Sequence, residues 1–443
     1  MAMRRAGILA DLRALPRGGA PGDLRRNAIA FVETLANMGL SLWQILPLNP
    51  TDDVGSPYAS RSANAIDTGL HTALAGDLEV EQRDVLQALE RWPWLRKHAV
   101  FEALRDEHGA PWTTWPEDVR WAGLDLSTPV DPHRVLHHAG LQMALNRAWR
   151  EVYHAASAHQ VIIIGDIPLY VAEDSVDVWT APHLFQLDQN GRARQRAGVP
   201  PDMFSETGQL WGNPMYEWKA HVAEHFSWWR QRVHRLADLV DMVRIDHFLG
   251  LVRAWSIPQT AEDARTGDWV DVPGVDLLAA LEDVPVGFVA EDLGLVTPQA
   301  EALRKAHGMM GMAVHQFGFT GPAYAPHTPS MTPEDVVAYS GTHDNTTVKG
   351  WWADASEEER RRAGKEGVGE EAPHRDLLRL GLASDARWYI APLQDVLGLG
   401  PQARTNTPST VGAHNWTWRA APEQVSLEAL VWFAQVAHAT ERV

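Results

Sequence analysis

Hydrophobic residues along the chain fall into short apolar runs separated by segments of helical spacing. The runs predict strands buried on both faces of a sheet, at residues 8–12, 42–48, 161–164, 239–243, 286–290, 314–319 and 336–340. Helical spacing predicts helices at residues 27–38, 141–159, 297–308 and 355–381, with closing helices at 385–397 and 425–438. Strands that alternate with helices predict a parallel α/β sheet. At 443 residues, the chain suits one (β/α)8 TIM-type barrel with helical insertions, or two to three domains.

Two stretches depart from the alternation. Residues 70–145 are tryptophan-rich and helical with little strand alternation, which predicts a mainly helical insertion subdomain. Residues 188–216 have few periodic apolar positions and are predicted to form a long loop. A loop of that length in a compact domain is usually functional or disordered, and its aromatic content favours an active-site loop. We therefore interpret residues 1–443 as a single catalytic barrel carrying both segments.

Composition narrows the possible partners. The 57 acidic and 39 basic residues give a formal net charge of −18, which argues against nucleic acid and anionic membranes and favours a neutral substrate. The absence of cysteine excludes disulfides. Many of the 20 tryptophans are expected in the core, and a surplus this large also fits a cleft that stacks sugar rings.

The same sequence predicts a cytoplasmic protein. The residues after Met1 include arginines but no sustained apolar segment of the kind that a secretory signal needs. No apolar run approaches the roughly 18–20 residues of a membrane span. We expect a monomer without a cofactor.

The segment Arg244–Leu251 follows an apolar run and begins with a charge cluster. Arg244 and Asp246 lie two positions apart, so on a strand both side chains occupy one face. A neighbouring cation keeps a carboxylate ionised, as a carboxylate nucleophile requires. For this segment alone, a structural ion pair at a strand end is an equally good explanation.

Three further apolar runs also end near a carboxylate, so that the set comprises Asp166, Asp246, Glu291 and Asp344. In a barrel, the carboxyl ends of the strands meet at one face, where active sites lie. Glycosidic bond exchange needs one carboxylate to attack, a second carboxyl to donate a proton, and a third to hold sugar hydroxyls. A divalent-cation site is the weaker alternative, because Arg244 and His343 would oppose a cation, and we expect no metal.

Several motifs, in order, resemble those of the amylomaltases, the bacterial 4-alpha-glucanotransferases of the wider alpha-amylase group of (β/α)8 retaining enzymes. The motifs are Gly165–Ala172, Val199–Tyr216, Arg244–Phe248, Ala290–Gly294, Gly341–Asn345, Pro392–Gly400 and Asn415–Arg419. The resemblance implies that Asp246 is the nucleophile, Glu291 the general acid/base and Asp344 the transition-state stabiliser. It implies that the substrate-binding residues are Tyr58, Asp166, Glu206, Trp211, Asn213, Arg244, His343, Asn406 and Pro408.

The chain departs from the family pattern at three places, which are Arg13–Pro16, Ser62–Ile66 and Thr320–Pro322. The helical insertion after residue 70 is also shorter than usual. None of these departures touches the three chemical carboxylates, and all of them concern the outer subsites.

Three functions are consistent with these residues. The first is a 4-alpha-glucanotransferase that moves segments between maltooligosaccharides by retaining double displacement, which predicts that the carboxyl groups of Asp246 and Glu291 are roughly 5–5.5 Å apart. The second is an alpha-glucan hydrolase on the same scaffold. The third is a non-catalytic glucan-binding protein, which predicts no product and a carboxylate turned away from the cleft.

Overall fold

The structure is a computed structural model, and it describes residues 3–123, 129–201, 205–294, 296–410, 412, 414–425 and 427–442. The strands in chain order are β1 (Arg5–Leu9), β2 (Leu42–Gln44), β3 (Ile162–Ile167), β4 (Gln195–Val199), β5 (Gln209–Pro214), β6 (Met242–Ile245), β7 (Arg253–Pro258), β8 (Asp268–Asp271), β9 (Gly287–Ala290), β10 (Gly311–Val314), β11 (Val336–Tyr339) and β12 (Trp388–Pro392).

The α-helices cover the outside of the sheet and build the insertion. They are α1 (Asp23–Asn37), α2 (His71–Ala75), α3 (Gln82–Arg91), α4 (Pro93–His108), α5 (Glu117–Arg120), α6 (Pro132–Ala158), α7 (Val176–Thr180), α8 (Trp218–Ala223), α9 (Ser227–Ala237), α10 (Gly274–Ala280), α11 (Pro298–Ala306), α12 (Val348–Asp354), α13 (Glu357–Glu366), α14 (Pro373–Ala383), α15 (Leu393–Val396) and α16 (Leu427–Ala439). Among the described helices, none is long and apolar enough to cross a membrane.

Eight parallel strands form the predicted barrel. Their order is β10-β11-β12-β1-β2-β3-β6-β9. A parallel bridge between Val289 and Met310, with the N–H of Ala290 donating to the Met310 carbonyl at 2.8 Å, joins the two ends of the sheet. The (β/α)8 architecture is thereby confirmed.

Apolar side chains fill both sides of the barrel wall. Inside, Leu9, Ile164, Val289 and Ile390 belong to one buried cluster drawn from different strands. Tyr339 adds a hydrogen bond across this interior by donating to the Gln44 amide oxygen at 2.7 Å. On β1, a Cβ at position 7 would lie 2.0 Å from the Leu42 carbonyl oxygen, so the close approach of β1 and β2 requires glycine there.

A smaller antiparallel sheet, with the strand order β5-β4-β7-β8, contains much of the segment predicted to be a loop. The prediction that residues 188–216 lack strands is wrong, because β4 and β5 pair as a hairpin and β4 also pairs with β7. Residues 202–204 of this segment lie outside the described residues. The segment's role at the active site stays a prediction.

Two other predicted elements are corrected. Residues 385–397 are not one helix, because they contain β12, which is followed by α15. The strand predicted at 314–319 ends at Val314, and His315–Phe319 form a 3-10 helix. The predicted insertion does contain helices, since α2 to α5 and the first half of α6 lie within residues 70–145, and residues 124–128 are outside the described part.

Candidate active site

Three of the four carboxylates lie on adjacent strands of the barrel. Asp166 is on β3, Asp246 follows the last residue of β6, and Glu291 follows the last residue of β9. The ladder continues one residue beyond the strands: Asp246 N–H donates to the Ile167 carbonyl at 3.1 Å, and Glu291 N–H donates to the Ile245 carbonyl at 3.0 Å. Asp246 and Glu291 therefore leave the sheet at equivalent positions of neighbouring strands.

The Arg244 guanidinium connects two of these carboxylates. Its Nη1 donates to Asp166 Oδ2 at 2.5 Å, and its Nη2 lies 3.1 Å from Asp246 Oδ1. Burial by itself would lower the pKa of Arg244, but the carboxylates of Asp166 and Asp246 outweigh it and hold that pKa well above its usual value. Arg244 is therefore a fixed cation that contacts both carboxylates.

Glu291 has a different environment. Burial raises the pKa of its carboxyl well above the usual value, Arg244 opposes the rise, and the negative charge of Asp246 adds to it. One carboxylate oxygen, Oε2, accepts a hydrogen bond of 2.7 Å from the backbone N–H of His247. Glu291 is thus favoured in its protonated form, whereas its neighbour Asp246 is ion-paired with Arg244, an arrangement that suits acid/base chemistry.

Asp344 lies on the loop after β11 and is held by the segment that follows β12. Its Oδ1 accepts from the Asn406 amide at 2.6 Å, and its backbone carbonyl accepts from Arg404 Nη2 at 2.6 Å. His343 Nε2 is 3.5 Å from the same Oδ1. The Asn406 N–H donates to the His343 carbonyl at 3.1 Å, so the two loops are joined through backbone and side chain.

Tyr58 connects the Asp344 loop to the other carboxylates. Its hydroxyl donates to Asp166 Oδ2 at 2.7 Å. Its ring stacks on His343 with centroids 5.1 Å apart and planes 11° apart. Burial raises the pKa of the Tyr58 phenol well above its usual value, and Asp166, Asp246 and Asp344 all contribute to the rise. The structure therefore brings Asp246, Glu291, Asp344, Asp166, Arg244, His343 and Tyr58 together at one end of the barrel.

The remaining predicted binding residues are placed less uniformly. Trp211 on β5 meets the ring of His247 edge-on at 5.0 Å, beside the carboxylates. Asn213 is buried, and its amide donates to the Val171 carbonyl at 2.8 Å, which anchors the hairpin. Glu206 is exposed on the turn between β4 and β5, and Pro408 is half-buried in the turn after Asn406. In the described part of the chain, no hydrogen bond or ion pair joins Glu206 or Pro408 to the carboxylates.

Sequence reasoning missed several residues that build this site. Trp416 packs against both Tyr58 and His343, with centroids 5.8 Å away in each case. Arg404 binds the Asp344 backbone, and Asp395 binds both ends of the Asp344 loop. Trp416 and Asp395 lie within motifs that the sequence displays, but spacing alone gives no sign of their contacts. Among the described residues, no group of three or more His, Cys, Asp or Glu side chains is arranged to hold a metal ion.

Comparison with known proteins identifies the family. The sequence model of glycoside hydrolase family 77, described as 4-alpha-glucanotransferase, matches residues 10–91 and 79–424. This chain belongs to the 4-alpha-glucanotransferase family. The 4-alpha-glucanotransferase of Thermus thermophilus is 38% identical over 99% of this chain and 99% of its own length. That of a Synechocystis strain is 37% identical over 96% of this chain and 95% of its own length.

Solved structures agree with this assignment. The amylomaltase from Streptococcus agalactiae in complex with acarbose superimposes with a TM-score of 0.91 at 30% identity, covering 99% of this chain and all of that chain. The amylomaltase from Corynebacterium glutamicum, at 17% identity and a TM-score of 0.74, covers 99% of this chain and 75% of that chain, and it supports the fold only. The predicted membership of this 4-alpha-glucanotransferase family is confirmed.

Proposed function

We propose that this family member transfers α-1,4-glucan segments between maltooligosaccharides, with Asp246, Glu291 and Asp344 performing a retaining double displacement. The observation that carries the proposal is the contrast between two neighbouring carboxyl groups. Asp246 is paired with the fixed cation Arg244, whereas burial holds the pKa of Glu291 well above its usual value. One group is suited to attack, and the other is suited to donate a proton.

In the first half-reaction, an Asp246 oxygen attacks the anomeric carbon of the donor glucan. The glycosidic C–O bond breaks as Glu291 gives its proton to the leaving oxygen, so the shortened glucan departs with a new hydroxyl. The product is a glycosyl ester on Asp246. Asp344, held by Asn406, accepts hydrogen bonds from sugar hydroxyls as the ring distorts toward the oxocarbenium-like transition state.

In the second half-reaction, the ionised Glu291 takes a proton from an acceptor hydroxyl, whose oxygen attacks the anomeric carbon and releases Asp246. The two inversions together retain the α configuration. Transfer requires a sugar hydroxyl to react in preference to water, so the acceptor side must exclude solvent. We assign that task to the β4–β5 hairpin, which carries Trp211 against His247 beside the site.

The binding roles form the rest of the proposal. Tyr58, Asp166, Arg244 and His343 hold the sugar at the point of cleavage, and their mutual contacts support this assignment. Glu206, Trp211 and Asn213 border the acceptor, while Asn406 and Pro408 border the glucan from the segment after β12. Monomeric state and cytoplasmic location stay predictions from the sequence.

Incubation with maltotriose alone tests the activity. A ladder of longer maltooligosaccharides together with glucose supports transfer. Only shorter products would instead indicate an alpha-glucan hydrolase, and the absence of any product would indicate a glucan-binding protein.

The role of Asp246 is tested by Asp246→Asn. We expect turnover to be abolished while maltooligosaccharide binding, measured calorimetrically, stays within a few-fold of the unsubstituted protein. Asp263→Asn is a matched control, because the Asp263 side chain is about as exposed as that of Asp246 but pairs with an arginine, Arg265, that is itself exposed. A variant of Asp246 that keeps most of its turnover would remove this residue from the mechanism.

A further inference from the structure

Trp416 occupies a junction between three loops at the carboxyl end of the barrel. Its indole lies 5.8 Å from the Tyr58 ring, on the loop after β2, and 5.8 Å from His343, on the loop after β11. Its backbone N–H donates to the Thr405 carbonyl at 2.7 Å, on the segment after β12. A Cβ at Gly55 would lie 3.4 Å from the Trp416 Cβ, so the loop that carries Tyr58 passes directly beside it.

The backbone of Trp416 is held in a conformation that disfavours a bulky side chain. Its φ of +62° is in the left-handed region, which residues other than glycine, asparagine and aspartate rarely adopt. The buried neighbour Asn415 stabilises this turn: its amide oxygen accepts from the Thr407 N–H at 2.9 Å, and its amide nitrogen donates to the Thr410 carbonyl at 3.0 Å. Strain that the surroundings maintain at an active site points to a functional requirement for the side chain itself.

Two series of contacts start from this ring and lead to different carboxylates. Through Tyr58, the first passes to Asp166 and then to Arg244, which contacts Asp246. Through His343, the second reaches Asp344, whose Oδ1 is 3.5 Å from His343 Nε2. Tyr58 and His343 stack on each other, and Trp416 packs against both of them. Displacement of this ring would therefore loosen both series of contacts together.

We propose that Trp416 is a positioning residue for the transfer reaction, and that its indole fixes the Tyr58–His343 stack so that Asp246 and Asp344 keep their alignment on the same sugar. The proposal rests on the function proposed above. Alignment of groups that act in the transition state affects kcat more than the binding of substrate. The loss on removing the ring is therefore expected in kcat, with little change in KM.

The test separates the ring from the backbone strain. Trp416→Gly removes the ring and suits the left-handed backbone, whereas Trp416→Phe keeps a ring and keeps the strain. For transfer from maltotriose, we expect kcat of Trp416→Gly to fall at least about tenfold with KM within about threefold, and Trp416→Phe to restore most of the rate. Trp432→Phe is the control, because Trp432 is half-buried on α16 and its ring packs against Arg375.

A double-substitution cycle shows whether Trp416 acts through Tyr58. If it does, adding Trp416→Gly to Tyr58→Ala costs much less than the same change costs in the unsubstituted protein. Fully additive losses, or a Trp416→Gly variant within twofold of the original kcat, would overturn the proposal. Rates are measured well below each variant's unfolding temperature, so that unfolding does not imitate a positioning effect. If the unsubstituted protein makes no longer maltooligosaccharides from maltotriose, the proposed function itself is wrong. If it makes them and Trp416→Gly makes them at the same rate, only the role of Trp416 is wrong.

Discussion

The backbone N–H of His247 donates a hydrogen bond to Oε2 of Glu291 at 2.7 Å. His247 directly follows Asp246, and its φ of +51° turns the chain sharply at the end of β6. The carboxyl group of Glu291 is therefore anchored to the main chain of the residue that follows Asp246. Such a link suits two groups that must act on opposite sides of one glycosidic bond.

Substitution of Glu291 should slow the reaction to an extent that depends on the leaving group of the donor. Glu291→Gln removes the proton donor, and we expect transfer from maltotriose to slow by about 10²–10⁴-fold, the usual contribution of general acid catalysis. Fluoride needs no proton to leave, so α-glucosyl fluoride should still give a burst of fluoride release from Glu291→Gln. The control is Glu301→Gln, on the exposed surface of α11. Equal losses with both donors would contradict the assignment of Glu291.

The pH dependence of transfer should follow Glu291. Burial raises the pKa of this carboxyl well above its usual value, and the protonated form is the one that donates to the leaving oxygen. Activity is therefore expected to be retained above the pH at which an ordinary glutamate ionises, and to fall only as pH rises through the raised pKa. The profile of kcat/KM for maltotriose measures that limb. With α-glucosyl fluoride as the donor, the rate of fluoride release should not show this fall at high pH. An unchanged fall would mean that it reports the ionisation of another group.

Arg244 should be required for folding as well as for chemistry. It is buried, and its partner Asp166 is 1% exposed. Arg244→Met would leave a buried carboxylate without its cation, a change that typically costs about 3–5 kcal/mol of unfolding free energy. Urea unfolding measures the difference, and adding Asp166→Asn should recover part of the loss. Arg265→Met, in an exposed ion pair with Asp263, should leave the unfolding free energy unchanged. A loss of similar size at both arginines would contradict the proposed importance of burial.

The sequence predicts the barrel strands that are apolar and bounded by turns, but it fails where an element depends on distant partners. β12 has only five residues and runs directly into α15, so its apolar positions merge with those of the helix. β4 and β5 are short and contain glycine and polar residues, and β4 pairs with β7, more than 50 residues away along the chain. Pairing between strands so far apart along the chain leaves no local periodicity in the sequence.

The candidate site, too, could be predicted from the sequence only in part. Asp246 and Glu291 are visible in the sequence because each immediately follows an apolar strand. The stack of Trp416 on Tyr58 and His343 joins three loops from distant parts of the sequence. No spacing rule links residues that meet only after the barrel closes. Asp395, which lies within the Pro392–Gly400 motif, anchors the loop that carries Asp344.

Asp395 gives a prediction about stability. Its Oδ2 accepts from the Ser340 hydroxyl and its Oδ1 accepts from the Val348 N–H, both at 2.7 Å, so it holds the two ends of the loop containing His343 and Asp344. Burial raises the pKa of Asp395 to about 6 from an ordinary value of 3.8. Because its folded pKa is the higher one, ionisation opposes folding, and the opposition develops as pH rises from about 4 to about 6.

Asp395→Asn removes this ionisation while keeping the shape of the side chain. The unfolding free energy of the variant minus that of the original protein should therefore rise between pH 4 and pH 7, by up to about 3 kcal/mol. Urea unfolding at both pH values measures the difference. Asp395→Ala removes both anchoring bonds and should instead lower kcat by freeing the Asp344 loop. A difference for Asp395→Asn that is constant over this pH range would contradict the linkage.

The β4–β5 hairpin should control the competition between acceptor sugar and water. Trp211 packs against His247 beside the carboxylates, so Trp211→Ala opens the acceptor side to solvent while Asp246 and Glu291 remain in place. Water then reacts more often with the glycosyl enzyme, and we expect a larger share of maltotriose to be hydrolysed, with a slower growth of the ladder. Trp269→Ala is the matched control, because Trp269 is 43% exposed on β8 of the same sheet and packs on Trp255. The number of reducing ends formed per transfer product measures the effect. An unchanged ratio in Trp211→Ala, or an equal change in Trp269→Ala, would mean that solvent is excluded by another part of the molecule.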